Sequence, residues 1–270
     1  MRIFALSCVV ACSGGGDARV DAGLDDAAMI DAIAAGTAGC GKASTIAAEM
    51  WVMRMAGTRP YFIRIPAGYD PARRYPVIYQ QHGCSTSPNR ETNNVPLEGQ
   101  SGANAILVRG KAAADCWDTS ATGVDLPYWD AMVADVEATW CIDPAHRFAT
   151  GYSSGSFMTA RLACIRGSML RGVATIAGGQ AESNCKGPVA ALLIHDANDN
   201  TVNISASIAA RDSHRMRNGC AATTTATDHP PCVAYDGCGT PVVWCQTAGQ
   251  DHSRQDALAA PIFWDFVSKL

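Results

Sequence analysis

A serine that could act as a nucleophile, Ser153, lies between Gly151 and Gly155 in the pattern Gly-x-Ser-x-Gly. The segment before it, residues 147–152, favours a strand, and the segment after it, residues 156–166, favours a helix. A strand, a sharp turn and a helix in this order form a nucleophile elbow, which presents a serine hydroxyl for attack on a carbonyl carbon. Side chains at the two glycines would clash there with the neighbouring strand and helix. The alternative is a serine in an ordinary glycine turn.

A serine nucleophile needs a histidine as general base and a carboxylate, and both follow it along the chain in enzymes with this elbow. The apolar run at residues 189–195 predicts a buried strand, and the loop after it holds two candidate acids, Asp196 and Asp199. Asp199 is the favoured acid. Of six histidines, only His252 lies in a loop after the last predicted core strand, residues 241–245. His252 is therefore the expected base, and a loop histidine without a catalytic role is the alternative.

An oxyanion hole would complete such a site. The backbone N–H of the residue after the nucleophile, Ser154, is one expected donor, and the loop after the predicted strand at residues 75–81 supplies the other. That loop begins His82-Gly83-Cys84, so the N–H of Cys84 is the candidate. His82 is expected to hold the loop in place rather than to take part in catalysis. Acyl transfer by these groups needs no metal ion and no organic cofactor.

Predicted strands and helices alternate along the chain in a way that would position these residues. An entry hairpin is expected at residues 50–55 and 61–66. The further predicted strands are residues 75–81, 105–109, 147–152, 172–176, 189–195 and 241–245. The further predicted helices are residues 129–140, 205–218 and 255–269. This order predicts a single α/β domain, with a mostly parallel sheet covered by helices on both faces.

The composition argues against several other classes of protein. A net charge of −4 gives no electrostatic basis for binding nucleic acid. The sequence after the N-terminus has no apolar run long enough to predict a membrane span. Twelve cysteines without paired Cys-x2-Cys spacing disfavour a zinc site and indicate disulfides formed in an oxidising compartment. Many pairings are open to the ten cysteines from residue 40 onward, but their placement suggests Cys84 with Cys116 and Cys164 with Cys185.

The N-terminus has the features of an export signal, because a positively charged start precedes an apolar stretch. The sequence Val-Val-Ala-Cys at residues 9–12 resembles the bacterial lipoprotein signal, in which the cysteine, here Cys12, is lipidated. We therefore expect an export signal at residues 1–12, a flexible tether at 13–37 and an enzyme domain at 38–270. The protein would be secreted or held at the bacterial cell envelope by its lipid. An ordinary secretory signal is the alternative.

The elbow is one of several short motifs that occur together in this chain. The others are residues 38–42, 59–66, 68–70, 82–84, 116–117, 140–143, 232–238 and 243–245. In combination they resemble the secreted α/β-hydrolase esterases grouped as polyhydroxybutyrate depolymerase and feruloyl esterase-like proteins. The resemblance implies the α/β-hydrolase fold and a triad of Ser153, Asp199 and His252. The chain departs from that family at Asp196, where glycine usually follows the histidine, and at Ser154, where alanine or an aromatic residue is common.

The resemblance implies a carboxylic-ester hydrolase. The candidate substrates that it implies are plant cell-wall hydroxycinnamoyl esters, polyhydroxybutyrate or its oligomers, and acetylated xylan. The cysteine-rich segment 220–245 favours the feruloyl esterase type, as does the short segment after His252, which leaves no room for a polymer-binding domain. Trp117, Tyr128 and Trp129 are candidates to stack on an aromatic acid, or else are buried packing residues. Peptide hydrolysis is the second expected chemistry. An inactive surface-binding lipoprotein is the alternative that is not an enzyme.

Overall fold

A ten-stranded sheet forms the centre of this computed structural model, which describes residues 36–270. The expected export signal, Cys12 and nearly all of the expected tether lie outside the described residues. The strands are β1 (Val52–Ala56), β2 (Arg59–Arg64), β3 (Tyr75–Gln81), β4 (Ile106–Arg109), β5 (Ile142–Tyr152), β6 (Gly172–Ile176), β7 (Ala190–Asp196), β8 (Thr224–Ala226), β9 (Cys232–Tyr235) and β10 (Val242–Thr247). Their order across the sheet is β1-β2-β4-β3-β5-β6-β7-β10-β9-β8.

The sheet is parallel in its centre and antiparallel at both edges. Strands β4, β3, β5, β6, β7 and β10 run in the same direction. The hairpin of β1 and β2 pairs antiparallel with one side of this group, and β9 and β8 extend the other side in the same antiparallel manner. The carboxyl ends of the parallel strands therefore meet along one edge of the sheet, where open α/β sheets place their ligands.

Helices cover both faces of the sheet. They are α1 (Glu98–Ser101), α2 (Asp125–Thr139), α3 (Ser154–Ile165), α4 (Ser205–Arg217) and α5 (Asp256–Ser268), with 3₁₀ turns at Arg90–Thr92 and Gly167–Met169. No helix within residues 36–270 is long and apolar enough to cross a membrane.

The two faces of the sheet hold separate apolar cores, because side chains alternate along a strand. On β3, Val77 and Tyr79 join the core beneath α2, α3 and α4, whereas Ile78 joins the core beneath α5. Buried side chains of α2 and α5, such as Trp129 and Phe263, fill these two layers. The structure thus confirms the prediction of a mostly parallel sheet with helices on both faces.

The predicted elements of the central sheet are present, and the differences from prediction are local. Strand β5 begins at Ile142 rather than at residue 147, and α2 begins at Asp125 rather than at residue 129. Pro127 falls in the first turn of α2, where proline does not remove a helical hydrogen bond. Strands β8 and β9 were not predicted, because they are short and the three residues of β8 are exposed.

Five disulfides link the ten cysteines of the described residues. They are Cys40–Cys141, Cys84–Cys116, Cys164–Cys185, Cys220–Cys238 and Cys232–Cys245. Both pairs suggested by placement in the sequence are among them. The last pair joins residues that lie directly opposite each other on β9 and β10, so it fixes a sheet edge whose strands are short.

We expect reduction of these disulfides to lower the thermal unfolding midpoint clearly, because each structural disulfide contributes about 2–4 kcal/mol. Circular dichroism melting curves recorded with and without reductant would measure the change. Thiol titration of the denatured but unreduced protein should find almost no free thiol among the ten cysteines. A titration that finds most of them free would contradict the pairing described here.

Candidate active site

The elbow around Ser153 has a backbone that only glycine neighbours permit. Ser153 lies between β5 and α3 with φ 52° and ψ −118°, a strained conformation for a residue with a side chain. A Cβ atom on Gly155 would lie 1.9 Å from the carbonyl oxygen of Gln81, and one on Gly151 would lie 2.1 Å from the carbonyl oxygen of Gly155. The clashes expected from the sequence are therefore present, and the turn directs the serine away from the sheet.

The structure brings Ser153, His252 and Asp199 into one hydrogen-bonded chain. Nε2 of His252 lies 2.9 Å from the hydroxyl oxygen of Ser153, and Nδ1 of the same ring lies 2.8 Å from Oδ2 of Asp199. The three residues follow β5, β10 and β7, respectively. Because these strands are parallel, their carboxyl ends lie at the same edge of the sheet, which brings the three side chains together. This is the arrangement in which a histidine can take the proton of a serine while a carboxylate orients it.

The carboxylate of Asp199 is held in its ionised form. Its Oδ1 accepts hydrogen bonds from the backbone N–H groups of Thr201, at 2.9 Å, and Val202, at 2.8 Å. Burial alone would raise the pKa of Asp199. The hydrogen bonds from His252 and from the two backbone groups outweigh it and lower the pKa below its ordinary value. Asp199 therefore carries its negative charge at neutral pH.

The second candidate acid, Asp196, has different partners. It ends β7 with its side chain fully buried, and its Oδ2 accepts from the hydroxyl of Thr247 at 2.9 Å and the N–H of Gln250 at 2.8 Å. Its Oδ1 accepts from the N–H of Asn198 at 2.9 Å. Asp196 thus ties the loop after β7 to the loop that carries His252, and among the hydrogen bonds of the described residues none joins it to that histidine.

The loop after β3 is held by His82, which is fully buried. Its Nδ1 lies 2.7 Å from the carbonyl oxygen of Gly83, and its Nε2 accepts the N–H of Ala112 at 3.1 Å. Burial lowers the pKa of His82 to about 4, so the ring is neutral and Nδ1 carries the hydrogen. The indole N–H of Trp117 donates to the His82 carbonyl at 2.9 Å. These contacts give His82 a role in fixing the loop, as the sequence suggested.

Two backbone N–H groups border the space beside Ser153. Those of Cys84 and Ser154 have no acceptor among the described residues, and both residues line the same pocket. The loops that carry them are joined twice: Cys84 is bonded to Cys116, and the next residue, Trp117, donates its N–H to the hydroxyl of Ser154 at 2.9 Å. Two unpaired N–H groups held this firmly can stabilise the oxyanion of a tetrahedral intermediate without rearrangement.

The pocket at this site has a volume of about 560 Å³. Its lining residues are Cys84, Asn93, Trp117, Thr119, Tyr152, Ser153, Ser154, Phe157, Thr201, Val202 and His252. Six of these lining residues were not predicted from the sequence: Asn93, Thr119, Tyr152, Phe157, Thr201 and Val202. Phe157 had a detectable signal, because it follows Ser153 by four residues, about one helical turn, and so is expected on the side of α3 nearest the serine. A wider depression of about 850 Å³ lies at the far end of β5, but its Arg147 is paired with Glu137 and no serine–histidine pair lines it.

Comparison with known proteins decides the family of the chain. A probable feruloyl esterase C of Aspergillus terreus is 30% identical over 258 residues, which cover 89% of this chain and 94% of that protein. The chain belongs to the feruloyl esterase family. Feruloyl esterase C of Emericella nidulans is 31% identical over 229 residues, covering 75% of this chain and 83% of that protein. No protein-family model matches the chain.

Solved structures of other esterases have the same fold as this chain. An acetyl xylan esterase from Aspergillus awamori matches with a TM-score of 0.63 and 14% identity, covering 80% of this chain and all of that one (100%). The feruloyl esterase module from Clostridium thermocellum matches with a TM-score of 0.58 and 11% identity, covering 81% and 86% of the two chains. This feruloyl esterase family member therefore has the α/β-hydrolase fold, and it is a carboxylic-ester hydrolase.

The predicted aromatic contacts of this family member need correction. Trp117 lines the pocket, but Tyr128 and Trp129 do not. Tyr128 is buried, with its hydroxyl donating to the Pro60 carbonyl at 2.7 Å and its ring covered by the guanidinium of Arg59. Trp129 is completely buried in the core and packs edge-on against Tyr79. Both side chains face the sheet from α2, so the prediction that they stack on a substrate is wrong, and they are the buried packing residues of the alternative.

Residues 36–270 contain no cluster of three His, Cys, Asp or Glu side chains that could hold a metal ion.

Proposed function

We propose that the protein is a serine esterase in which Ser153, His252 and Asp199 form the catalytic triad. The observation that carries this proposal is the unbroken hydrogen-bonded chain from the serine hydroxyl through the imidazole to the carboxylate. The backbone N–H groups of Ser154 and Cys84 form the oxyanion hole. A binding protein without activity has no need for a strained serine beside a histidine, because such strain costs stability.

The reaction takes place in two steps of acyl transfer. His252 takes the proton of Ser153 as the serine oxygen attacks the ester carbonyl, and Asp199 stabilises the imidazolium that results. The oxyanion is held by the two backbone N–H groups. His252 then gives the proton to the departing alcohol, which leaves an acyl-enzyme. Water activated by His252 hydrolyses this intermediate and frees Ser153.

The substrate class we propose is the hydroxycinnamoyl ester of a plant cell-wall saccharide. Trp117 and Phe157 both line the pocket that holds Ser153, and their rings suit an aromatic acid that stacks or packs edge-on. The names of the relatives, feruloyl esterases, support the same class. Hydroxyalkanoate oligomers and acetylated xylan are the competing ester substrates.

A hydrolysis panel tests the substrate proposal. We expect ferulate release from methyl ferulate, with weaker activity on acetylated xylan and on hydroxybutyrate oligomers. Phe157→Leu should lower kcat/KM for methyl ferulate by roughly 3- to 10-fold, the value of one aromatic contact, and should change hydrolysis of p-nitrophenyl acetate much less. Clearing of a polyhydroxybutyrate suspension without ferulate release would overturn the substrate class while leaving the esterase assignment in place.

We propose that the mature protein lies outside the cytoplasm and is attached to the bacterial cell envelope by a lipid on Cys12. The five disulfides support an oxidising compartment, and the sequence at residues 9–12 supports the lipid. Cys12→Ser should move the protein from the membrane fraction to the soluble fraction when the cells are fractionated. An unchanged distribution would rule out the anchor.

A further inference from the structure

A second histidine, His195, lies beside the proposed acid and takes no part in the chemistry described above. It is the residue before the last in β7, and its side chain is completely buried. Buried polar groups are costly unless their hydrogen-bonding atoms have partners. The partners of both ring nitrogens therefore show what this histidine does.

The two ring nitrogens bind different segments. Nε2 lies 2.9 Å from the carbonyl oxygen of Val202 and 3.2 Å from Oδ2 of Asp199. Both of these atoms can only accept, so Nε2 carries a hydrogen. Nδ1 lies 2.6 Å from the hydroxyl oxygen of Ser207 on α4, and that oxygen is 2.7 Å from the carbonyl of Gly178. His195 thus anchors the loop that carries the acid to α4 and to the segment after β6.

The Asp199 oxygen near His195 is the one that faces the proposed base. Oδ2 is hydrogen-bonded to Nδ1 of His252 at 2.8 Å, and Nε2 of His195 lies 3.2 Å from the same oxygen, so two imidazoles approach one carboxylate oxygen. The other oxygen is held by backbone N–H groups, one of them from Val202, whose own carbonyl accepts from His195. Removing the contacts of Nε2 would free one side of the carboxylate and one end of its loop together.

We propose that His195 is a positioning residue for the catalytic acid. Its Nε2–H fixes the rotation of the Asp199 carboxylate through the loop, and it offsets part of the negative charge that His252 senses. The inference rests on the proposed triad. It assigns a role to a residue that touches neither the substrate pocket nor Ser153.

Few other charged groups surround this histidine. From the acid loop Asp199 faces it, and from the loop after β10 His252 reaches it only through that carboxylate. Its register partner on β10 is the uncharged Gln246, and its contact on α4 is the hydroxyl of Ser207. The next charged side chain along α4, Arg211, lies over Trp244 and pairs with Asp212. A change in pH dependence caused by replacing His195 must therefore act through Asp199 and His252.

Two amide substitutions separate the roles of the ring nitrogens. His195→Gln places an N–H donor near the position of Nε2, whereas His195→Asn places one near Nδ1 and leaves the Nε2 contacts empty. We expect His195→Asn to lower kcat by about 3- to 10-fold, the range for losing one neutral hydrogen bond, with KM unchanged. Its kcat/KM should also change its dependence on pH, because the Asp199 carboxylate that pairs with His252 is held less firmly. His195→Gln should retain most of the kcat and the pH profile of the unaltered protein.

The assay is the rate at which a fluorophosphonate labels Ser153 across a pH series, together with kcat and KM for a p-nitrophenyl ester. Equal rates for His195→Asn and the unaltered protein would overturn the inference, and so would equal losses in the Asn and Gln variants. An unaltered protein that does not label would refute the triad itself, and this inference with it. Nitrogen-15 NMR of the unaltered protein tests the same point without depending on the folding of any variant. We expect the spectrum to show a hydrogen on Nε2 of His195, and its absence would contradict the proposal.

Discussion

Replacing Ser153 with alanine is expected to lower ester hydrolysis by roughly 10⁴-fold or more, since the nucleophile is lost while the pocket remains. His252→Ala should cause a loss of similar size, because a serine hydroxyl without its base is a weak nucleophile. The double variant should be little worse than either single one. Groups that act as a unit do not contribute additively.

Turnover of a p-nitrophenyl ester by the purified variants measures these losses. His146→Ala is a matched control, because His146 lies at the opposite end of β5 and contacts Asp143 rather than the pocket. This control should keep the activity of the unaltered protein. Substantial turnover by Ser153→Ala would refute the mechanism, and additive losses in the double variant would show that the serine and the histidine act independently.

Replacing Asp199 with asparagine should cost on the order of 10⁴-fold in kcat, the loss known for the corresponding change in a serine protease triad. An amide N–H facing Nδ1 of His252 would favour the wrong tautomer of the ring. Asp196→Asn should cost far less activity. Its carboxylate accepts from Thr247, Gln250 and Asn198, so the amide loosens the loop that carries His252 but leaves the hydrogen-bonded chain intact.

The comparison of the two aspartates needs both kcat and thermal stability. The expected pattern is a large loss of kcat with little change in melting temperature for Asp199→Asn, and mainly a lower melting temperature for Asp196→Asn. The reverse pattern of kcat losses would transfer the role of the acid to Asp196.

Much of the fold could be predicted because its strongest signals are local. The continuous apolar runs of β3, β6 and β7 mark buried strands wherever they occur, and the glycine at 151 is required by a contact within the elbow itself. The glycine at 155 belongs to the same short motif, although the atom that it must avoid is the Gln81 carbonyl oxygen on β3. Strands β8 and β9 have no such signal. Strand β9 owes its place to pairing with β10 and to the Cys232–Cys245 disulfide, and β8 owes its place to pairing with β9. These are contacts between segments, which the pattern within any one segment does not encode.

The site was predictable only as far as chain order constrains it. Chain order singled out His252, but two carboxylates three residues apart lie at the end of β7 and in the loop after it, and only the observed distances separate Asp199 from Asp196. Orientation was the second obstacle. Trp129 and Trp117 are both aromatic residues before the elbow, yet α2 turns one into the core while the Cys84–Cys116 loop holds the other in the pocket. The role of His195 depends on contacts with α4 that no local pattern encodes.

In the proposed mechanism Ser153 carries the acyl group during turnover, and trapping that intermediate would identify the nucleophile directly. The protein would be mixed with methyl ferulate, quenched rapidly in acid, digested and analysed by peptide mass spectrometry. We expect a feruloyl adduct on the peptide that contains Ser153, and none after Ser153→Ala. An adduct on another residue, or hydrolysis of the ester by Ser153→Ala at the rate of the unaltered protein, would contradict it.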